Sequence, residues 1–177
     1  LKKLNFPLAI PSANKSSDAS PVDVLDVFEE FKKKIKMIID GGRCKIGVES
    51  TVVDLTNKIK ILRPGKITKK EISKFLKKKI TIASEKSKKK APGSFKKHYS
   101  PGLPIKLNYK KIPTDGAFIV FGKKFKGSKN IFNLSKKSSL DEAAKNLYKF
   151  FNRIKKLNYK KIYISKIPNK GIGIAIN

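Results

Sequence analysis

Residues 85–101 cut this chain in two. Glu85 to Lys90 is a run of lysine and serine, and Ala91 to Pro101 holds two prolines and a glycine with no hydrophobic periodicity. A stretch without an apolar face has nothing to bury, so it marks a boundary between packed units. The expected organisation is a first unit at 1–84, a linker at 85–101 and a second unit at 102–177. Of the 177 residues 39% are hydrophobic, enough for packed cores and too many for a disordered chain. The longest apolar runs, such as Gly116 to Gly122, fall far short of the roughly 18 to 20 residues that a bilayer requires. No secretory leader pattern is visible near Leu1. Leu1 and the apolar run Gly171 to Asn177 both read as cut ends, so a piece truncated at both termini is expected. Cys44 is the single cysteine, which excludes a disulfide framework and favours a cytoplasmic setting.

The formal net charge of +30 invites a nucleic-acid reading. Of 43 basic residues, however, only Arg43, Arg63 and Arg153 are arginine. Surfaces that grip phosphates or base edges favour the guanidinium fork. Lysine spread evenly along a chain is more in keeping with solvated faces, leaving a general, salt-sensitive attraction to RNA.

In the first unit, Phe6 to Ile10 reads as a strand running into the loop Pro11 to Ala19. Ser20 is placed as an N-cap, with Pro21 at the first helical position and Asp23 near the positive helix end. Val24, Val27, Phe28, Phe31, Ile35 and Ile38 then form one face of an amphipathic helix, stopped by Asp40-Gly41-Gly42. Thr51–Leu55 and Ile59–Leu62 read as a hairpin around Asn57, closed by Arg63-Pro64-Gly65. Thr68 and Glu71 form a capping box for a helix to about Lys78. In the second unit, Ile105–Leu107, Ala117–Phe121, Asn130–Asn133 and Lys161–Ser165 are strands. Ser139 and Glu142 cap a helix whose buried face is Ala143, Leu147, Phe150, Phe151, Ile154 and Leu157. Alternating strands and helices imply an open α/β sheet with parallel strands. No internal repeat is present.

Four segments carry candidate chemistry. Pro11-Ser12-Ala13-Asn14 with Ser20-Pro21 is either an anion-holding loop at a helix N-terminus or an ordinary capped junction. Gly47-Val48-Glu49-Ser50-Thr51 offers hydroxyls at a strand start, or is simply a turn before a strand. Arg63, held between a strand end and Pro64-Gly65, suits a phosphate or carboxylate, or is a surface arginine. His98-Tyr99-Ser100-Pro101 supplies the lone histidine, with no cysteine positioned for a shared metal site, and a tyrosine able to stack on a base.

The order of these segments resembles the YrdC-like family. The resemblance rests on Pro11-Ser12-Ala13-Asn14, Ser20-Pro21, Asp40-Gly41-Gly42, Gly47 to Leu55 and Ile61-Leu62-Arg63-Pro64-Gly65. The Ala91-Pro92-Gly93 to His98-Tyr99-Ser100-Pro101 linker before a small α/β domain is similar to the long, two-domain threonylcarbamoyl-AMP synthases. The implied fold is the C-terminal half of a YrdC-like twisted open α/β sheet, then the linker, then an incomplete Rossmann-like domain. The implied activity is nucleotidyl transfer. L-threonine, bicarbonate and ATP, with Mg²⁺ accompanying the ATP, give threonylcarbamoyl-AMP and pyrophosphate, and downstream transfer proteins carry the threonylcarbamoyl group to tRNA.

By resemblance, Ser12, Asn14, Ser20, Arg63 and Tyr99 serve ATP, whereas Ile10, through its backbone, and Ser50 serve threonine. The family's Lys-x-Arg phosphate motif is missing from residues 1–177, so the chain alone is expected not to turn over. The alternative is a non-catalytic YrdC-like module that binds double-stranded RNA. A carbamoyltransferase relative of hydrogenase maturation is argued against by the His-Tyr-Ser-Pro linker and the short second domain.

Overall fold

A computed structural model describes residues 3–15, 18–84 and 99–177. The linker's first part, with Ala91-Pro92-Gly93 and His98, lies outside the described residues.

The second unit is built around a four-stranded, all-parallel sheet. Its strands are β4 (Ile105–Lys106), β5 (Ala117–Val120), β6 (Ile131–Asn133) and β7 (Ile162–Ile164), in the spatial order β4-β7-β5-β6. All four residues of β5 are fully buried, as a central strand covered on both faces demands. On one face, Ala117, Ile119, Phe132 and Ile162 pack against Ala143, Leu147, Phe151 and Ile154 of helix α3 (Leu140–Lys156). On the other face, Phe118, Val120 and Tyr163 pack with Tyr109, Phe125 and Ile131. Acidic Asp141 and Glu142 open α3, and Arg153, Lys155 and Lys156 close it, matching the helix dipole. Ser139 is its N-cap, as expected, but the predicted reciprocal box is not formed. The Glu142 carboxylate instead accepts from Ser135 Oγ at 2.6 Å. Ser135 is buried, and its hydroxyl cannot be left without a partner. The predicted helix face is also trimmed at its end, because Leu157 is the C-cap and exposed. A short helix α4 (Gly173–Ile176) follows β7.

The first unit holds a three-stranded sheet. β1 (Val52–Asp54) pairs antiparallel with β2 (Lys60–Arg63), and β2 pairs parallel with β3 (Thr81–Ile82). The hairpin is as predicted; β3 has no counterpart in the sequence reading. Helix α2 (Lys69–Leu76) carries the predicted capping box complete, Thr68 and Glu71 each satisfying the other's backbone N–H.

Two expectations for this unit are corrected. Helix α1 spans only Val24–Phe31, followed by a 3-10 turn at Lys32–Lys34. Its N-cap is Asp23, whose side chain accepts from Asp26 N–H, and not Ser20. No residue of α1 is buried, so packing does not reward extending the helix through three consecutive lysines, and Lys32 leaves the helix at φ 46°. Phe6–Ile10 is not a strand. No strand pairs with it among the described residues, and Phe6, Leu8 and Ile10 are exposed.

The two units are packed together through α3. Val22 joins the second unit's core. Asn152 donates to Asp26 Oδ2 at 2.7 Å, Lys155 pairs with Asp18, Lys156 with Glu29, and Lys66 with Asp141. Gly47 makes the closest approach. A Cβ there would lie 2.5 Å from the Lys145 Cα and 2.6 Å from the Ala144 carbonyl oxygen, and its φ is +84°. Space and backbone conformation both require glycine.

Candidate active site

The site grows from the end of β2. Pro64-Gly65 turns the chain against the segment 49–51, where a Cβ on Gly65 would sit 2.4 Å from Thr51 N and 2.5 Å from the Glu49 carbonyl oxygen. Only a glycine lets the two backbones touch. That contact delivers the Arg63 guanidinium to Ser50. Nε donates to the Ser50 carbonyl at 2.9 Å, and Nη2 donates to Ser50 Oγ at 3.0 Å. Nη1 donates to the Tyr99 hydroxyl at 2.7 Å. Three predicted residues from separate segments are thus joined by one fork. Because Ser50 Oγ and the Tyr99 oxygen both accept from a cation, each keeps its own proton to donate.

Tyr99 is held in the left-handed region, φ 55°. The next residue, Ser100, forms a parallel bridge with Asp18, tying this end of the linker to the loop 11–20. Burial, then the nearby Glu49 charge, push the Tyr99 phenol above its ordinary 10.0, partly opposed by Arg63. The hydroxyl is therefore protonated at neutral pH.

The hydroxyl loop approaches from the other side. Ser20 Oγ donates to Glu49 Oε1 at 2.5 Å, and Glu49 is the residue before Ser50. Ser12, Ser20 and Glu49 line a cavity of about 560 Å³ together with Tyr148 of α3. The Tyr148 ring lies 6.1 Å from that of Tyr99. Asn14 Nδ2 donates to the carbonyls of Lys15 and Asp18 at 2.9 and 3.1 Å, which suits a loop-holding role. Asn14 borders an adjoining cavity of about 960 Å³ between the loop, α1 and α3. Ile10 is not brought in: it is 69% exposed and lines neither cavity. Ser50, Arg63 and Tyr99 are not lining residues either; their fork adjoins the smaller cavity through Glu49 and the Tyr99–Tyr148 ring pair.

Glu49 and Tyr148 are the site residues that sequence reasoning misses. Glu49 has a visible signal, standing beside Ser50 as one of 13 acidic residues against 43 basic ones. Tyr148 has none; the buried face expected of this helix leaves it out, and only the structure puts it in the core. Among the described residues no three His, Cys, Asp or Glu side chains gather to hold a metal ion. What the arrangement can do is neutralise an anion at Arg63 and orient neutral groups with hydroxyls, the requirements of phosphate-transfer chemistry.

Comparison with known proteins places the chain in a family. A family model described as Telomere recombination, of the Sua5–YciO–YrdC type, matches residues 1–65. A second, Threonylcarbamoyl-AMP synthase, C-terminal domain, matches residues 67–177. The threonylcarbamoyl-AMP synthase of Pyrococcus abyssi is 32% identical over 190 residues, covering 96% of this chain and 55% of that protein. That of Schizosaccharomyces pombe is 38% identical over 124 residues, covering 63% of this chain and 30% of its own. The crystal structure of P. abyssi Sua5 complexed with L-threonine superposes with a TM-score of 0.78 at 31% identity, over 94% of this chain and 54% of that one. The chain spans about half the length of this Pyrococcus relative. The two family models follow one another along the chain, the second covering more than half of it, and the chain belongs to the two-domain threonylcarbamoyl-AMP synthase family.

Proposed function

We propose that this chain supplies the carboxyl half of the active site of an L-threonylcarbamoyladenylate synthase. The reaction joins the amino group of L-threonine to bicarbonate as a carbamate with loss of water, and the carbamate oxygen then takes the AMP group from ATP, releasing pyrophosphate. In this reading the enzyme is a cytoplasmic nucleotidyltransferase whose product is passed by separate transfer proteins to tRNA. The carrying observation is the Arg63 fork that binds Ser50 and Tyr99 into one unit. Arg63 neutralises nucleotide phosphate, Ser50 orients threonine, and Tyr99 covers the nucleotide. Ser12 and Ser20 contact the nucleotide from their loop, which Asn14 stabilises; a threonine contact through the Ile10 backbone belongs to the same reading, although Ile10 lies apart from both cavities. Mg²⁺ enters as the counter-ion of the ATP phosphates. The bound L-threonine of the Pyrococcus relative supports the choice of amino acid.

Calorimetry of the purified chain with ATP, with and without L-threonine, tests the reading. Threonine is expected to tighten ATP binding, and pyrophosphate release by this chain alone is expected to be absent. Steeply salt-dependent binding of double-stranded RNA combined with indifference to ATP would overturn the proposal in favour of an RNA-binding module.

A further inference from the structure

In a chain of net charge +30, the cavity lined by Ser12, Ser20 and Tyr148 has the opposite character. Its wall carries Asp23, Asp40 and Glu49 against one lysine, Lys45. Asp23 caps α1, and Asp40 accepts from Gly42 N–H at 2.8 Å. Glu49 takes a single hydrogen bond, from Ser20 to Oε1, leaving Oε2 without one among the described residues. Tyr148 is 7% exposed and lines the same cavity; its hydroxyl has no hydrogen-bond partner among the described residues and is not sealed from solvent. A phenol left in that condition has a donor and an acceptor that a ligand group can take up in place of water.

A carboxylate only accepts and repels phosphate, so this end of the site is built for hydrogen-bond donors and not for the phosphates. Two adjacent wall groups, a carboxylate and a phenol, fit two neighbouring donors. In a nucleotide these are the ribose 2′ and 3′ hydroxyls, on neighbouring carbons, whereas the two N–H donors of adenine share one nitrogen. We propose that Glu49 and Tyr148 form the ribose subsite, so that the second domain contributes a ligand-contacting residue to the site. The inference rests on the nucleotide reading above, because Ser12 and Ser20 share this cavity. It also gives the second domain a part in binding, since α3 closes the nucleotide site.

The test is calorimetry of the full chain with ATP, 2′-deoxy-ATP and 3′-deoxy-ATP. The wild-type chain is expected to bind ATP about three- to tenfold more tightly than at least one deoxy analogue, the range of one hydrogen bond. Tyr148→Phe keeps the ring and its packing, and is expected to weaken ATP by a similar factor while narrowing that preference. Glu49→Gln, a second variant that retains size, is expected to act in the same direction. Arg63→Ala is expected to weaken all three nucleotides alike. If ATP binds but Tyr148→Phe and Glu49→Gln keep the wild-type preference, the ribose subsite is overturned and the nucleotide reading stands. If the wild-type chain binds no nucleotide, both fall.

Discussion

Arg63 and Tyr99, 36 positions apart, are joined by a 2.7 Å hydrogen bond from Nη1 to the phenol oxygen. The bond closes the end of the linker onto the end of β2. It places a cation that is always charged against a tyrosine that burial keeps protonated. Neither residue has this role locally; the fold creates it.

Arg63→Lys is the sharpest probe of that arrangement. Lysine keeps the charge but cannot reach Ser50 O, Ser50 Oγ and Tyr99 with one planar group. Replacing a guanidinium fork on phosphate by a single ammonium gives up about one charge-assisted hydrogen bond to the ligand, about 1.5 kcal/mol, so ATP affinity is expected to fall about tenfold by calorimetry. The unfolding midpoint is expected to change little, because Arg63 is only half-buried. Equal ATP affinity in the variant would remove Arg63 from the nucleotide site.

Gly47→Ala tests the packing between units. The new methyl group would meet the α3 backbone at 2.5 Å in a left-handed conformation. Strain and overpacking together predict a loss of at least about 2 kcal/mol in urea unfolding. Gly41→Ala is the control, with nothing within 4 Å of its added Cβ, and is expected to stay within about 0.5 kcal/mol of wild type. Near-ultraviolet circular dichroism should register the Gly47 change through Tyr99 and Tyr148. Equal stability of the two variants would show that α3 does not seat on Gly47.

These two cases also show what sequence can and cannot convey. β5 is legible because Ala117-Phe118-Ile119-Val120 is apolar without interruption, as a strand covered on both faces must be. The capping box of α2 is legible because Thr68 and Glu71 are three residues apart and need only each other. The end of α1 is not legible, because its apolar stripe promises a surface that is not there: Phe28 is 57% exposed. Glu49 and Tyr148 gain meaning only when α3 of the second unit lies against the first, a contact no local pattern encodes. Ser50, Arg63 and Tyr99 are legible through the order of their segments, but the fork between them depends on the Gly65 contact that places it.

Thr68→Ala should loosen α2 selectively. The helix has two turns and no buried residue, and Phe75 is 86% exposed, so its cap carries much of its stability. Losing the threonine cap costs about 1 kcal/mol. Hydrogen exchange of the α2 amides is expected to quicken about fivefold while α3 amides stay unchanged. Uniform exchange across both helices would mean that α2 does not open independently.

The second sheet carries a pH-dependent contact at the start of its central strands. The Tyr163 hydroxyl donates to Asp115 Oδ1 at 2.7 Å, and Lys161 Nζ lies 3.2 Å from Oδ2. The tyrosine hydrogen bond first, then Lys161, hold the Asp115 carboxyl below its ordinary 3.8. A depressed folded-state value means that the ionised form stabilises the fold. The contribution is fully present above 3.8 and drains away as pH falls through the lower folded value. Asp115→Asn, which can still accept from Tyr163 but has no charge for Lys161, removes this titration. Urea midpoints of the two proteins, measured from about pH 7 to about pH 2.5, should differ by a constant amount in the upper range and converge as acid protonates the wild-type carboxylate. Midpoint curves that stay parallel to the lowest pH would show that Asp115 has the same affinity for protons folded and unfolded, and that its two partners do not stabilise its charge.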